Sequence, residues 1–390
     1  MTDRPGEPTP APDTPRAEEP LLGPGGKVDP DALRRYFDEA DDDDRPSVAF
    51  VLQRDHQSRL DKYLTTRIPF MSRSQLQRLI DDAHVLVNGR APKASTKLRL
   101  GDEVVVTLPP PPTGTIIPEE IPLEVLFEDE HLIVLNKQAD IIVHPARAEK
   151  SGTLINALAW RFQHVSGGEL SAVGADFARP GVVHRLDRNT SGCIAFAKDD
   201  ETHWKLGLQF EHRKVDKRYL AVVHGRVEPD GQVIDLPIGP HPSKLKGYRE
   251  KQVVRHDDLG KPSVTICRVR ERYRSHDAAV GDQHATLVEL ELKTGRTHQI
   301  RVHLTHLGYP IVGDDMYAGR PYVTPEGATL IDTPALHAAL LAFEHPITGE
   351  PMVFTAPPRA EMRALIDDLR QRGVEPVHVD STVPLARFGL

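Results

Sequence analysis

The chain has 390 residues, enough for two or three domains of roughly 100 to 200 residues each, and 39% hydrophobic content suffices for ordinary cores. No run approaches the roughly 18 to 20 apolar residues of a membrane span, the N-terminus lacks the apolar centre of a signal peptide, and two cysteines with no HExxH or Walker loop leave metal, nucleotide and disulfide chemistry without a basis. A cytoplasmic protein that uses no cofactor is expected, and the net charge of −8 opposes a nucleic-acid partner only as an average over unlike segments.

Residues 1 to 45 carry 13 Asp+Glu against 6 Lys+Arg, are rich in Pro and Gly, and include the run Asp41 to Asp44. Large apolar groups are too few to offset the entropy of ordering, so 1–46 is expected to be a disordered acidic tail. Within it a short helix can form over Pro30 to Glu39, capped by Asp29, with Leu33 and Phe37 four apart.

From 54 to 100 the balance reverses to ten Lys+Arg against four Asp+Glu, a net of +6 that suits either phosphate binding or a solvated charged face. Leu60 and Leu64 share one helical face, and Leu76, Leu79 and Ile80 share another, with Ser72 or Ser74 as cap and Arg73 and Arg78 off the apolar stripe. Val85 and Val87 alternate into the Asn88-Gly89 turn, and a second turn over Lys97 to Asp102 leads into a strand from Glu103 to Thr107. Two helices, a hairpin and one basic face over 47–108 resemble the small S-four RNA-binding domain, on Arg59-Leu60-Asp61-Lys62, Ser72 to Gln75, Val87-Asn88-Gly89 and Gly101-Asp102. That resemblance makes Arg73, Arg78, Lys93 and Lys97 the phosphate-contact candidates.

Pro109 to Pro112 favour a stiff linker, set at 109–120. From 121 to 358 short β-branched runs (Ile133 to Leu135, Ile194 to Ala197, Tyr219 to Val223, Thr286 to Leu292) are joined by Gly- and Pro-rich turns. The fold class expected is therefore α+β with a largely antiparallel sheet, preceded by the small α+β module. Residues 359–390 read as one amphipathic helix on Met362, Ile366 and Leu369, then a loose end.

The densest reactive cluster is His184-Arg185-Leu186-Asp187-Arg188-Asn189-Thr190-Ser191-Gly192, a polar loop between two strands. Such a loop can fix a carboxylate, although an acid in a Thr-Ser-Gly turn is commonly structural. A second cluster, Thr294 to Leu304, reads as a helix capped by Thr297, with Ile300, Leu304 and Leu307 on one face and Gly308 as terminator. Arg296 and Arg301 meet no acid between Lys293 and Leu307, so this basic surface can hold a carboxylate ionised or bind phosphate. His298, His303 and His306 read as hydrogen-bonded helix histidines, because a zinc site would lack a fourth ligand and a catalytic Glu. Between the clusters, Tyr219 lies on a strand with basic neighbours that suit stacking on a nucleobase.

Together the motifs resemble the RluA family of pseudouridine synthases, in the RluC/RluD-like architecture with an N-terminal S-four domain. The resemblance rests on HRLDRNTSG at 184–192, KRYLAVVHG at 217–225, TGRTHQIRVHL at 294–304 and GYPIVGDDMY at 308–317. It implies that Asp187 is the catalytic aspartate, Tyr219 the tyrosine that stacks on the target base, Arg301 the aspartate's basic partner and Arg185 the arginine that helps displace the target from the RNA stack. His184 and Arg296 join the RNA-binding candidates. The implied partner is ribosomal RNA of the large subunit, free or in a precursor particle, for a protein that is monomeric and needs neither membrane nor cofactor. Transfer RNA as substrate, or a non-catalytic ribosome-assembly factor, are the rivals. One departure stands out: Gln138-Ala139-Asp140 replaces the family's Pro-x-Gly after Asn136-Lys137, and Asp140 is expected to keep the turn because Asp tolerates a left-handed backbone.

Overall fold

The computed structural model describes residues 21–23, 25–30, 32–33, 36, 46–53, 58–71, 73–81, 83–108, 116–144, 151–171, 180–243, 251–277, 281–380 and 382–390, without the side chains of 74, 275–277 and 281–283. The chain forms two compact units, Met1–Gly114 and Thr115–Leu390. No helix among the described residues is long and apolar enough to cross a membrane.

In the first unit, β1 (Leu22–Gly23) and β2 (Lys27–Val28) form a hairpin, β3 (Ser47–Val51) follows, and α1 (Leu60–Arg67) and α2 (Arg73–Asp81) precede β4 (Val85–Val87) and β5 (Glu103–Thr107). The sheet runs β3-β5-β4, all antiparallel. Alternation decides its faces: Val48, Phe50, Val104 and Val106 point into a core with Leu60, Leu64, Leu76 and Ile80 from the helices. Asn88 and Gly89 take positive φ (51° and 74°), as the hairpin turn requires.

The expectation of a disordered tail over 1–46 does not hold for its described residues. Leu21, Val28, Ala32 and Leu33 are buried in the first unit's core, and Arg67 donates to Gly25 O at 2.8 Å. The Asp29 carboxylate does accept from the backbone of Ala32, but most of the helix expected over 30–39 lies outside the described residues. A few well-spaced apolar side chains are enough here, because a ready-made core receives them.

In the second unit the strands are β6 (Glu124–Glu128), β7 (Leu132–Lys137), β8 (Ser191–Ala197), β9 (Asp216–His224), β10 (Gly231–Asp235), β11 (Ile238–Pro240), β12 (Gln252–Val254), β13 (Val264–Asp277), β14 (Gly281–Leu292), β15 (Tyr322–Val323), β16 (Thr329–Ile331), β17 (Leu336–Glu344), β18 (Pro351–Thr355) and β19 (Val374–Pro376). The helices are α3 (Leu154–Arg161), α4 (Asp200–Glu211), α5 (Gln299–His306) and α6 (Ala360–Gln371). Ten strands make one sheet in the order β10-β13-β14-β9-β17-β8-β7-β6, with β18 beside β17 and β19 beside β13. Every pair is antiparallel except β17 with β8, as the turn-rich sequence implied. All four β-branched runs lie in strands β7, β8, β9 and β14.

The central strands are apolar on both faces because both faces are covered. Ile133, Leu135, Ile194 and Phe196 face one cluster, while Leu132, Val134, Cys193 and Ala195 face another with Leu206 of α4 and Phe343. Truncating Phe196 to alanine would cost about 3–5 kcal/mol. Burial also pushes the Cys193 and Cys267 thiols up to about 12, which leaves neither as a nucleophile.

Two boundaries differ from expectation. The described end of the linker is tied to the second unit: Ile116 packs on its core and Asn156 donates to Ile117 O at 2.8 Å. The C-terminal end is not loose, since Met362, Leu365, Ile366 and Leu369 of α6 are buried, β19 pairs with β13, and Phe388 is buried as well. Residues after Gln371 carry too few apolar groups to signal this; they gain order by completing a sheet edge.

Candidate active site

The loop from His184 to Thr190 is held at both ends and in the middle. Val182 bridges to Phe196, Leu186 is buried in the main core, and Ser191 starts β8. Behind it, at the end of β7, the buried Lys137 Nζ donates to Gln138 O (2.9 Å), Arg188 O (2.7 Å) and Thr190 O (2.9 Å). Burial draws the Lys137 pKa down to about 7, opposed by the Asp187 charge. Three carbonyl acceptors match the three N–H bonds of an ammonium, and a neutral amine would leave one acceptor empty. The loop is therefore built around charged Lys137. Asp140 takes φ 59°, so the departure at 138–140 does keep its left-handed turn.

Gly192 explains the close seam beside this loop. Its φ is 112°, and an added Cβ would lie 2.2 Å from Ala338 O of β17, where β8 and β17 run parallel.

Asp187, on that loop, keeps 23% of its side chain exposed. Arg301, from α5, donates from Nη1 to Asp187 Oδ2 at 3.4 Å, and spends Nε and Nη2 on the buried Asp314, at 2.7 Å each. Burial works against the Arg301 charge, but the hydrogen bonds and charge of Asp314, with Asp187, hold its pKa above the ordinary value. The guanidinium also lies 4.8 Å over the Tyr317 ring, a cation–π contact. Arg301 is thus a fixed cation, clamped on one side and offered to Asp187 on the other.

Tyr219 of β9 is buried between β14 and β17, paired with Leu290 and Ala338. Burial first, and then the Asp187 charge, raise its pKa, so the hydroxyl stays protonated. Asp187, Tyr219 and Arg301 come from three segments; Arg301 bonds Asp187 directly, and Tyr219 feels its charge. Arg185 and Arg296 are exposed, with Arg296 Nε reaching Pro262 O at 3.4 Å.

His184 is placed differently from the expected RNA contact. Its Nε2 accepts the Ala195 backbone N–H at 3.0 Å, and its ring stacks on Phe210 with centroids 4.5 Å apart. Burial, aided by the Lys217 charge, pushes its pKa down to about 3. Neutral His184 fastens the loop to β8 through Nε2, with its hydrogen left on Nδ1.

The helix of the second cluster starts later than Thr297. His298 is its N-cap, in the left-handed region at φ 56°, and makes no side-chain cap. Gln299, the first helical residue, fastens the preceding turn instead: its Oε1 accepts from Arg296 N (3.0 Å) and Thr294 Oγ1 (2.7 Å), and its Nε2 donates to Val264 O and Thr265 Oγ1. His303 is a hydrogen-bonded helix histidine, bound to Thr265 Oγ1 and Leu236 O, as expected. His298 instead sits with Nε2 4.0 Å from Asp187 Oδ2 and Nδ1 2.8 Å from Tyr317 Oη. Asp314, Tyr317 and Lys137 have no role in the reading of the sequence, and His298 has only that of a hydrogen-bonded helix histidine. The only signal for the first two was the run GYPIVGDDMY itself. No group of three His, Cys, Asp or Glu that could hold a metal occurs among the described residues.

In the first unit, Arg78, Lys93 and Lys97 are exposed and make no ion pair among the described residues. Arg73 is different, since it is bound to the buried Asp61 through Nε (3.1 Å) and Nη2 (3.0 Å). Its first task is to hold α2 to α1.

Comparison with known proteins points to one family. The model of the RNA pseudouridylate synthase family matches residues 131–306, and that of the S4 domain matches 58–104. An RNA pseudouridine synthase of Bacillus subtilis, YlyB, is 40% identical over 315 residues, covering 81% of this chain and 95% of its own. The chain belongs to the RNA pseudouridine synthase family. It is an isomerase whose catalytic unit carries an S4 domain ahead of it, and the reading as a non-catalytic factor falls away. Two further relatives, each named ribosomal large subunit pseudouridine synthase D, come from Pseudomonas aeruginosa (38% identical; 80% of this chain, 92% of its own) and Escherichia coli K12 (37%; 80% and 90%).

Proposed function

We propose that this synthase isomerises uridines of large-subunit ribosomal RNA, working in the cytoplasm as a monomer, with Asp187 as the reacting carboxylate. The observation that carries the substrate is the pair of relatives named for the ribosomal large subunit, similar to this chain over 80% of its length, S4 domain included. The reaction breaks the N1–C1′ bond of a uridine, turns the uracil and rejoins it through C5. Nothing is oxidised and no group is imported.

Such chemistry needs a flipped-out nucleotide, one anionic group beside the sugar and base, and a site that retains the detached uracil. Arg185, exposed on the Asp187 loop, displaces the target from the stack. Tyr219 lies against the base. Arg301 keeps Asp187 ionised at the moment of reaction, because an isolated carboxylate in a site closed by RNA would tend to take up a proton. Phosphates are met by Arg78, Lys93 and Lys97, with Arg73 and Arg296 in support.

The test is a map of pseudouridines in total RNA from cells with the gene intact, deleted, and restored as Asp187→Asn. Loss of defined large-subunit sites on deletion, not restored by the variant, is expected. Loss confined to transfer RNA would reassign the substrate, and full restoration by the variant would remove Asp187 from the mechanism.

A further inference from the structure

His298 combines three features that a helix-capping residue does not need. It is a non-glycine residue at φ 56°, a conformation that costs energy and that persists only where the surroundings hold it. It stands at the N-cap of α5, yet its side chain makes no cap hydrogen bond, so the ring is not spent on the helix end. And its two ring nitrogens face different partners, Tyr317 Oη at 2.8 Å and Asp187 Oδ2 at 4.0 Å.

The hydrogen bonds around Tyr317 favour one tautomer of His298. Tyr317 Oη accepts the Gln252 backbone N–H at 2.9 Å. Burial, the largest influence, raises the Tyr317 pKa to about 12, so the phenol keeps its single hydrogen. Among the described residues, the acceptor paired with that hydroxyl is His298 Nδ1. A neutral imidazole that accepts at Nδ1 must carry its hydrogen on Nε2, aimed at Asp187. Both donors to Asp187, Arg301 Nη1 and His298 Nε2–H, then address the same oxygen, Oδ2.

We propose that His298 is a positioning residue for the isomerisation: a neutral, Nε2-protonated imidazole, oriented by Tyr317 and the Gln252 backbone, that joins Arg301 in holding Asp187 Oδ2 and so turns Oδ1 toward the uridine. This rests on the reading of Asp187 as the reacting carboxylate. The 4.0 Å gap exceeds hydrogen-bond length and closes with a movement of about 1 Å on RNA binding or through one bridging water. The groups that face the ring are Asp187 and Arg185 from the loop, Arg301 from α5, and Asp314 and Tyr317 from the turn beyond it. Burial is the largest influence and lowers the His298 pKa, with Arg301 and Arg185 adding to it against Asp187 and Asp314. A neutral ring at working pH follows.

Two substitutions separate this role from a purely conformational one. An asparagine side chain offers an acceptor near the Nδ1 position and tolerates left-handed backbone, whereas a glutamine places an amide N–H near the Nε2 position but suits that backbone less well. If His298 matters only for its backbone, His298→Asn is the milder change. If its Nε2–H matters, His298→Gln is milder. We expect single-turnover rates on RNA to fall about 30- to 100-fold in His298→Asn and to stay within about tenfold of wild type in His298→Gln, with RNA affinity unchanged in both.

The second measurement needs no variant of His298: 15N chemical shifts of its imidazole in the full-length protein. The Nε2–H tautomer should dominate from pH 6 to 8, and Tyr317→Phe should abolish that preference. A dominant Nδ1–H form, an imidazolium at pH 7, or His298→Asn outperforming His298→Gln would each overturn the proposal. Should Asp187→Asn retain turnover, the assignment of Asp187 fails instead, and the tautomer measurement still reports on His298 by itself.

Discussion

Two aspartates in this protein are each met by arginine, and only one of them is left with capacity to react. In the first unit Asp61 is fully buried and accepts from Arg59 (3.2 and 3.1 Å), Arg73 (3.1 and 3.0 Å), Gln77 (2.7 Å) and the Lys62 backbone (2.8 Å). In the second unit Asp187 is partly exposed and accepts one long bond, 3.4 Å, from an arginine whose shorter bonds go to Asp314. Saturation makes Asp61 a joint between α1 and α2. Under-saturation leaves Asp187 with acceptor capacity to meet a substrate, as the proposed reacting carboxylate requires.

The largest expected effect is on turnover. Asp187→Asn keeps the shape and removes the charge, so the rate should fall at least ~10³-fold, about 4 kcal/mol of barrier, with the fold and RNA affinity nearly intact. Tritium release from uridine labelled at C5 measures it, and a near-normal rate would erase the distinction between the two aspartates.

Asp61→Asn should do the converse. Without the ionised carboxylate, Arg59 and Arg73 lose their acceptor, at a cost of about 2–3 kcal/mol to the first unit. Hydrogen exchange in the full-length protein should show loss of protection over residues 60–81, while turnover at saturating RNA holds. Loss of activity at saturation would mean that Asp61 is more than a joint.

A smaller effect follows from pH. Burial pushes the Asp61 carboxyl up, but hydrogen bonds from Gln77, Arg59, Arg73 and the Lys62 backbone outweigh it and bring its pKa to about 2. A carboxyl lowered on folding contributes stability above its ordinary value of 3.8 and loses it as pH falls toward about 2. With two half-exposed arginine partners the contribution is about 1–2 kcal/mol. The gap in stability between wild type and Asp61→Asn should therefore narrow between pH 5 and pH 3, by denaturant unfolding of the first unit.

Smallest is the effect of Arg78→Met. This exposed residue has no ion pair among the described residues, so its loss should weaken RNA binding a few-fold and lower the slope of log affinity against log salt by about 1. Arg73→Met should cost protein stability as well, and equal behaviour of the two in thermal unfolding would show that the Asp61 cluster is not the support described.

Much of this was legible before the fold. The loop at 184–192 could be read because turn residues lie between two β-branched runs, and Asp187, Tyr219 and Arg301 because each lies in a long motif. The later start of α5 was not, because Thr297 is a good cap by type, while the turn before the helix is fixed by Gln299, which binds Arg296 N and reaches Val264 and Thr265 across the chain. Asp314 could not be paired with Arg301 by spacing, since thirteen residues and a turn separate them. His184 had the composition of an RNA contact, and only the positions of Phe210 and Ala195 turn it into a fastener. Leu21, Val28, Leu33 and Phe388 are too sparse to signal burial until a core exists for them to cover.

The central claim is that Arg301, locked by Asp314, keeps Asp187 ionised in the closed site. The pH dependence of the single-turnover rate for Arg301→Met, beside wild type and Arg78→Met, tests it most directly. The account predicts a severe loss of rate in Arg301→Met with the acid limb moved to higher pH, and no movement of that limb in Arg78→Met. If Arg301→Met and Arg78→Met behave alike, with turnover restored by excess RNA and the acid limb unmoved, Arg301 is a phosphate contact and the claim is contradicted.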